Sequence, residues 1–174
     1  MTLQWEEIRP YTSLPADEER LGRLNKWAGI YIWGFKDDKQ LFWPYYVGKH
    51  SYITYRLCQH LSSLKGGLYT IYSTDELFNE EDKWVYKPEK INRWIDFING
   101  VAFQEQEKHV QNMISRFHYT YALMDDFKNM GSDAEKATLN AIRPSLLINT
   151  RFGKPEQPVD IGNLFERIGN QWKA

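Results

Sequence analysis

Two aromatic segments five residues apart constrain the fold of this chain most. The first, residues 28–35, alternates isoleucines with tyrosine, tryptophan and phenylalanine, and this period of two is typical of a β-strand. The second, residues 41–48, contains Pro44, which predicts an edge strand or a bulge because proline cannot donate a ladder hydrogen bond. Since only five polar residues separate the segments, we predict an antiparallel hairpin.

The remaining regular patterns predict helices and one further strand. Residues 53–64 carry apolar residues at helical spacing, and Gly66-Gly67 ends that helix. Residues 117–124 predict a third strand, and residues 133–143 predict a helix that Pro144 stops. The order of elements predicts an α+β domain with a small, three-stranded mixed or antiparallel sheet flanked by helices.

The segments outside this framework have weaker patterns. Residues 1–27 are polar with two prolines and predict an N-terminal arm with a short helix over 16–24. Residues 66–116 contain an acidic run and two helical patterns, over 88–99 and 104–116. Residues 145–149 are expected to pack on the core, and the tail, 153–174, to carry a short helix over 161–169.

Composition bounds the class of protein. The length of 174 residues corresponds to about one domain, and eleven tyrosines, nine phenylalanines and seven tryptophans require a packed core. The single cysteine, Cys58, excludes an intrachain disulfide and a cysteine-rich zinc site, and it favours a reducing, cytoplasmic location. Neither a signal peptide nor a membrane span is predicted, because no basic stretch precedes an apolar run and no apolar run approaches about 18 residues.

Charge argues for limited contact with nucleic acid. The net charge is −1 and the isoelectric point is about 6.4, whereas phosphate binding is usually supported by excess Lys and Arg. We therefore expect few, localised phosphate contacts on any nucleic acid that binds. The basic residues near the motif positions described next are Lys49, Arg56, Lys65, Arg143, Arg151 and Lys154.

Several short motifs occur in a fixed order. Gly29-Ile30-Tyr31 lies in the first aromatic segment and Tyr46-Val47-Gly48 in the second. Arg56 follows Gly48 by eight residues, His60 follows Arg56 by four, and Glu135 and Asn149 come late in the chain. With these residues in this order, the chain resembles the GIY-YIG nucleases, which include homing endonucleases, excision-repair nucleases and restriction enzymes. The resemblance covers about residues 28–65 and 117–152, so 66–116 looks like a helical insertion in a nuclease domain over 28–152.

The resemblance implies a metal-dependent endonuclease that hydrolyses DNA phosphodiester bonds with one Mg²⁺ (or Mn²⁺). Tyr31 would be the general base for water, with Tyr46 beside it. Arg56 would clamp the scissile phosphate, and His60 would hydrogen-bond the phosphate or relay a proton. Glu135 would hold the metal ion.

Two further positions have supporting roles in substrate binding. Lys49, because it directly follows Gly48, would contact substrate phosphate. Asn149 would fix backbone near the substrate site through side-chain hydrogen bonds, a role that is structural more than catalytic. No membrane partner is expected. A homodimer is expected if both DNA strands are cut at once by one site each.

Each position also has an ordinary structural interpretation. Tyr31 and Tyr46 are two of many aromatic residues, and Lys49 could be a solvated surface lysine. Arg56 and His60 share a helix face at the border of its apolar stripe, where a surface arginine and a half-buried histidine are common. Glu135 could serve only as the third-position residue of a capping box that Ser132 begins.

The corresponding alternative function is a catalytically silent module. It would bind nucleic acid on a GIY-YIG-like fold without cutting it, or it would dock a protein through the acidic, aromatic segment 75–98.

Overall fold

The computed structural model describes residues 3–73, 84–88, 95, 98–99 and 101–142. These residues fall in two compact units, one formed by Met1–Arg56 with Phe117–Ala174 and the other by Leu57–Arg116. The boundary between the units lies within a helix, between Arg56 and Leu57. In chain order the elements are β1 (Arg9–Pro10), a 3₁₀ turn (Tyr11–Ser13), α1 (Leu14–Leu24), β2 (Gly29–Lys36), β3 (Phe42–His50), α2 (Ile53–Lys65), β4 (Ile71–Tyr72), β5 (Trp84–Tyr86), α3 (Val101–Ser115), β6 (Phe117–Leu123) and α4 (Phe127–Ile142).

The predicted hairpin is confirmed in the first unit, where β2 pairs antiparallel with β3. Both expectations for Pro44 hold, since β3 is an edge strand and the pairing shifts beside this proline. Trp33 pairs with Tyr46, whereas the next residue, Gly34, pairs with Pro44, so Tyr45 is the extra residue of a bulge. The third predicted strand is also confirmed as β6.

The sheet of the first unit has four strands, in the order β1-β6-β2-β3, and every pairing is antiparallel. The prediction of three strands was wrong because β1 consists of Arg9 and Pro10 alone. Two residues, one of them a proline, carry no alternating pattern, and only their pairing with Tyr119 and His118 makes them a strand. The general α+β class is confirmed.

The two faces of this sheet differ in chemistry, as the alternation of β2 predicts. Ile30 and Ile32 lie on an aliphatic face, which packs on Ala134, Ala141 and Ile142 of α4. The opposite face is aromatic and fully buried along β2 and β6. Its members are Tyr31, Trp33, Phe35, Phe117, Tyr119 and Tyr121.

The helix α4 begins at Phe127, six residues before the predicted start at position 133. Gly131 and Ser132 therefore lie inside the helix, and the predicted capping box is wrong. Gly131 is buried, and a Cβ there would lie 3.1 Å from the ring of Phe127. The glycine thus reflects close packing within the helix and not a break before it.

The second unit contains a β4–β5 hairpin and α3, which packs against β4. The predicted end of α2 is confirmed, since Gly67 has φ 77° and Leu68 N–H donates to Ser63 O at 2.8 Å. The pattern over 104–116 is helical, although α3 begins at Val101 and Gln106 interrupts it with φ −125°. The predicted helix over 88–99 falls mostly outside the described residues, and 145–149 and 161–169 fall wholly outside them.

No helix in the described ranges combines the length and the apolar character needed to cross a bilayer.

Candidate active site

The two motif tyrosines meet on the β2–β3 hairpin of the first unit. Tyr31 lies in the middle of β2, and its cross-strand neighbour in β3 is Gly48. The rings of Tyr31 and Tyr46 are nearly parallel, with centroids 6.2 Å apart and planes 27° apart. Tyr31 is 1% exposed and Tyr46 is 37% exposed, so the stacked pair joins the buried core to the surface.

Gly48 is the residue that makes room for this pair. A Cβ at Gly48 would overlap the hydroxyl oxygen of Tyr31 and would lie 2.6 Å from its Cζ. The same Cβ would lie 2.7 Å from Cε1 of Tyr46. Because both rings lie over its Cα, Gly48 cannot carry a side chain without displacing at least one tyrosine. Gly48, the third residue of the Tyr46-Val47-Gly48 motif, is therefore needed to accommodate the rings of Tyr31 and Tyr46.

A second contact joins β3 to α4. Lys49 Nζ donates a hydrogen bond to Ser132 Oγ and lies 3.8 Å from Glu135 Oε2. The side chains of Lys49 and Glu135 are each about one-third exposed (33% and 32%). The contact follows from the packing of α4 on β2 and β3, which brings residues far apart in sequence to one edge of the sheet. Ser132, assigned from sequence as a helix cap, is instead the hydrogen-bonding partner of the motif lysine.

The position of Glu135 excludes the capping box as the reason for a glutamate there. Since α4 begins at Phe127, Glu135 lies well inside the helix and cannot cap its amino end. Its carboxylate is turned to Lys49, at a half-exposed position that water and ligands can reach. The carboxylate of Glu135 therefore has no capping role in α4.

Arg56 and His60 lie one turn apart on α2, with different surroundings. The start of α2 is held to the first unit, because Ile53 N–H donates to Trp27 O at 3.0 Å. Arg56 lies in the first turn and is half-buried. His60 belongs to the second unit, is 1% exposed, and has its Nδ1 2.6 Å from Tyr69 Oη. In this conformation His60 is engaged within the protein, and its predicted contact with phosphate stays a prediction.

The other tyrosines on the aromatic face remain neutral phenols at neutral pH. Tyr121, the β6 neighbour of Tyr31, has its pKa raised to about 12 by burial and by the charge of Asp17, against a hydrogen bond from Arg20. Burial raises the pKa of Tyr119 further, and its hydroxyl donates to the buried Asp17 at 2.5 Å. These tyrosines are bound to charged side chains of α1, so their role is to join that helix to the sheet.

The residues present fit a one-carboxylate Mg²⁺ site. Among the described residues, no group of three or more His, Cys, Asp or Glu side chains is placed to hold a metal ion. Mg²⁺ is commonly held by one or two carboxylates, with substrate phosphates and water as its other ligands. Glu135, half-exposed beside Lys49, can supply that carboxylate.

The structure thus brings Tyr31 to Tyr46 on the aromatic face of the sheet and Lys49 to Glu135 on the aliphatic face, whereas Asn149 lies outside the described residues. No protein family, no curated protein and no solved structure matches the chain. The motif residues and their geometry therefore carry the functional proposal.

Proposed function

We propose that this chain is a metal-dependent endonuclease of the GIY-YIG type, which hydrolyses phosphodiester bonds in DNA. The observation that carries the proposal is the stack of Tyr31 and Tyr46 over Gly48. The glycine under the two rings fixes their relative position, and it is itself one of the motif residues that carry the resemblance. Lys49 and Glu135 meet on the opposite face of the same edge strand, and they are the charged groups assigned to phosphate and to the metal ion.

Hydrolysis of a phosphodiester requires removal of a proton from water and stabilisation of charge on phosphate and leaving oxygens. Tyr31 accepts the proton at its hydroxyl oxygen when that group is a phenolate. An isolated phenol, with a pKa of about 10, is a weak base at neutral pH, and a nearby cation favours the phenolate. In this scheme Arg56 or the bound metal ion would be such a cation, and the exposed ring of Tyr46 covers the side of the pair that faces solvent.

In this scheme three positive groups neutralise the charge on the phosphate, namely Arg56, Lys49 and the metal ion. Arg56 binds two phosphate oxygens with its planar guanidinium, and Lys49 adds a point charge. Glu135 would hold the metal ion, which would neutralise phosphate charge and assist the leaving oxygen. Without substrate, Lys49 and Glu135 form an ion pair with each other between β3 and α4.

The test is strand cleavage by the purified full-length chain. Supercoiled plasmid is incubated with the protein in Mg²⁺, in Mn²⁺ or in excess chelator, and nicked and linear forms are followed with time. We expect nicking that depends on the metal ion. Linear product without a nicked intermediate would indicate a dimer that cuts both strands. Intact plasmid under every condition would favour the catalytically silent binding or docking module.

A further inference from the structure

Three aromatic side chains form an exposed surface just after β3. His50 ends that strand, Tyr52 directly precedes α2, and Tyr55 lies in the first turn of α2. The rings of Tyr52 and Tyr55 are nearly parallel, with centroids 6.1 Å apart, and the rings of His50 and Tyr55 are 6.4 Å apart. Tyr55 is 53% exposed and Tyr52 is 36% exposed. We call His50, Tyr52 and Tyr55 the aromatic platform.

The platform is held in place by contacts within the first unit. Nδ1 of His50 lies 2.9 Å from Tyr52 O and 3.0 Å from Tyr52 N, which fixes the imidazole against the backbone. The hydroxyl of Tyr52 donates to Glu18, and the ring of Trp27 meets that of Tyr52 edge-on at 4.5 Å. Because these rings are already ordered, a ligand that stacks on them loses little free energy to side-chain ordering.

The platform is continuous with the candidate active site. Tyr46, Gly48 and His50 alternate along β3 and therefore share one face of the sheet. At about 3.3 Å per strand residue, His50 lies about 7 Å along β3 from Gly48, over which Tyr31 and Tyr46 stack. In sequence the platform is followed directly by Arg56, a cation assigned to substrate phosphate, whereas Lys49 lies on the opposite face of β3.

We propose that the aromatic platform stacks an unpaired DNA base next to the scissile phosphate, so that the substrate is DNA with single-stranded character. The proposal rests on the nuclease function above. Exposed aromatic rings stack on bases of any identity, but the faces of bases within an intact duplex are already covered by their neighbours. Stacking also adds affinity that does not depend on charge, which suits a chain of net charge −1.

The charges around the platform define where the backbone of the strand runs. Glu18 accepts hydrogen bonds from Tyr52 and Thr54 on the α1 side, and its carboxylate repels phosphate there. Arg56, the residue after Tyr55 on α2, attracts phosphate. The base therefore lies on the platform, and its phosphate lies towards Arg56.

Binding measured without cleavage tests the platform directly. Wild-type protein in excess chelator is titrated into fluorescein-labelled DNA 20-mers that are single-stranded, duplex or single-stranded with abasic positions throughout. Tyr55→Ala and Tyr55→Phe are measured in parallel, with Leu24→Ala as the control for loss of an exposed apolar side chain (Leu24 is 52% exposed). Fluorescence anisotropy gives the dissociation constants.

We expect wild type and Tyr55→Phe to bind the single strand more tightly than the duplex or the abasic strand. Tyr55→Ala should lose about fivefold to about 150-fold on the single strand, the range measured for loss of one stacked base, with no change on the duplex. Any of three results would overturn the platform proposal. Wild type could bind single strand and duplex equally, Tyr55→Ala could bind as wild type does, or no DNA could bind at all.

Failure of the platform and failure of the nuclease proposal give different results. A Tyr55→Ala variant that binds single strands normally while the wild type nicks plasmid would remove the platform and leave the nuclease. Base-dependent binding by a protein that cuts no DNA in Mg²⁺ or Mn²⁺ would leave the platform and remove the nuclease.

Discussion

Gly48→Ala tests whether the stack of Tyr31 and Tyr46 serves chemistry or only packing. The added Cβ would lie 2.6 Å from Cζ of Tyr31, whereas carbon atoms in contact are separated by about 3.5–4.0 Å. Tyr31 is 1% exposed and must therefore move by about 1 Å within a packed core. Overpacking of this kind costs about 1–3 kcal/mol of the free energy of unfolding. A displacement of about 1 Å of a reacting group costs about 100-fold in rate.

The assay combines urea unfolding with single-turnover plasmid nicking, carried out at a temperature where the variant is fully folded. Gly22→Ala is the matched control, because its Cβ would lie 3.3 Å from the ring of Trp27, away from both tyrosines. We expect this control to stay within about 1 kcal/mol of the wild-type stability, since alanine in a helix offsets a tight contact. A destabilised Gly48→Ala protein that nicks at the wild-type rate would show that the tyrosine stack is structural.

Two further predictions concern phosphate binding and alkaline stability. Arg56→Lys keeps the positive charge but loses the bidentate fork, so we expect a drop in nicking rate of tenfold or more with nearly unchanged melting temperature; a wild-type rate would remove Arg56 from the mechanism. Because the folded-state pKa of Tyr121 is about 12 against about 10 when unfolded, the unfolded chain releases its proton first. The free energy of unfolding should therefore be constant up to about pH 10 and fall above it, by at most about 1.4 kcal/mol per pH unit for each such tyrosine. Urea titrations between pH 8 and 12 on wild type and Tyr121→Phe check this, and equal slopes for the two proteins would contradict it.

The hairpin could be predicted because its signals are local. The alternation of Ile30 and Ile32 with Tyr31 and Trp33 reports two faces of a strand that meet different surroundings. Pro44 marks the edge strand and the bulge because its ring leaves it without a backbone N–H to donate to the ladder. The motif residues of this hairpin could be found in the same way, because they lie within twenty residues of one another in the sequence.

The features that escaped prediction depend on contacts between distant segments. β1 exists only because Arg9 and Pro10 lie against β6. The start of α4 was placed too late because Gly131 and Ser132 resemble a helix break and cap, whereas packing of Phe127 on Gly131 keeps the helix continuous. The contact of Lys49 with Ser132 and Glu135 spans more than eighty residues, and no local pattern reports it.

Glu135→Gln tests the central claim most directly, because it changes the charge and little else. Glu135 lies inside α4, so the substitution affects neither end of the helix, and its half-exposed ion pair with Lys49 contributes at most about 1 kcal/mol. A neutral amide is a far weaker ligand for Mg²⁺ than a carboxylate. Asp133→Asn, at an exposed position two residues earlier on the same helix, is the matched control.

Melting temperature and Mg²⁺-dependent plasmid nicking are measured on the same preparations of wild type, Glu135→Gln and Asp133→Asn. We predict three proteins of similar stability, of which only Glu135→Gln loses nicking, by at least a factor of about 100. A stable Glu135→Gln protein that nicks plasmid at the wild-type rate would contradict the assignment of Glu135 to the metal ion, and with it the proposed mechanism.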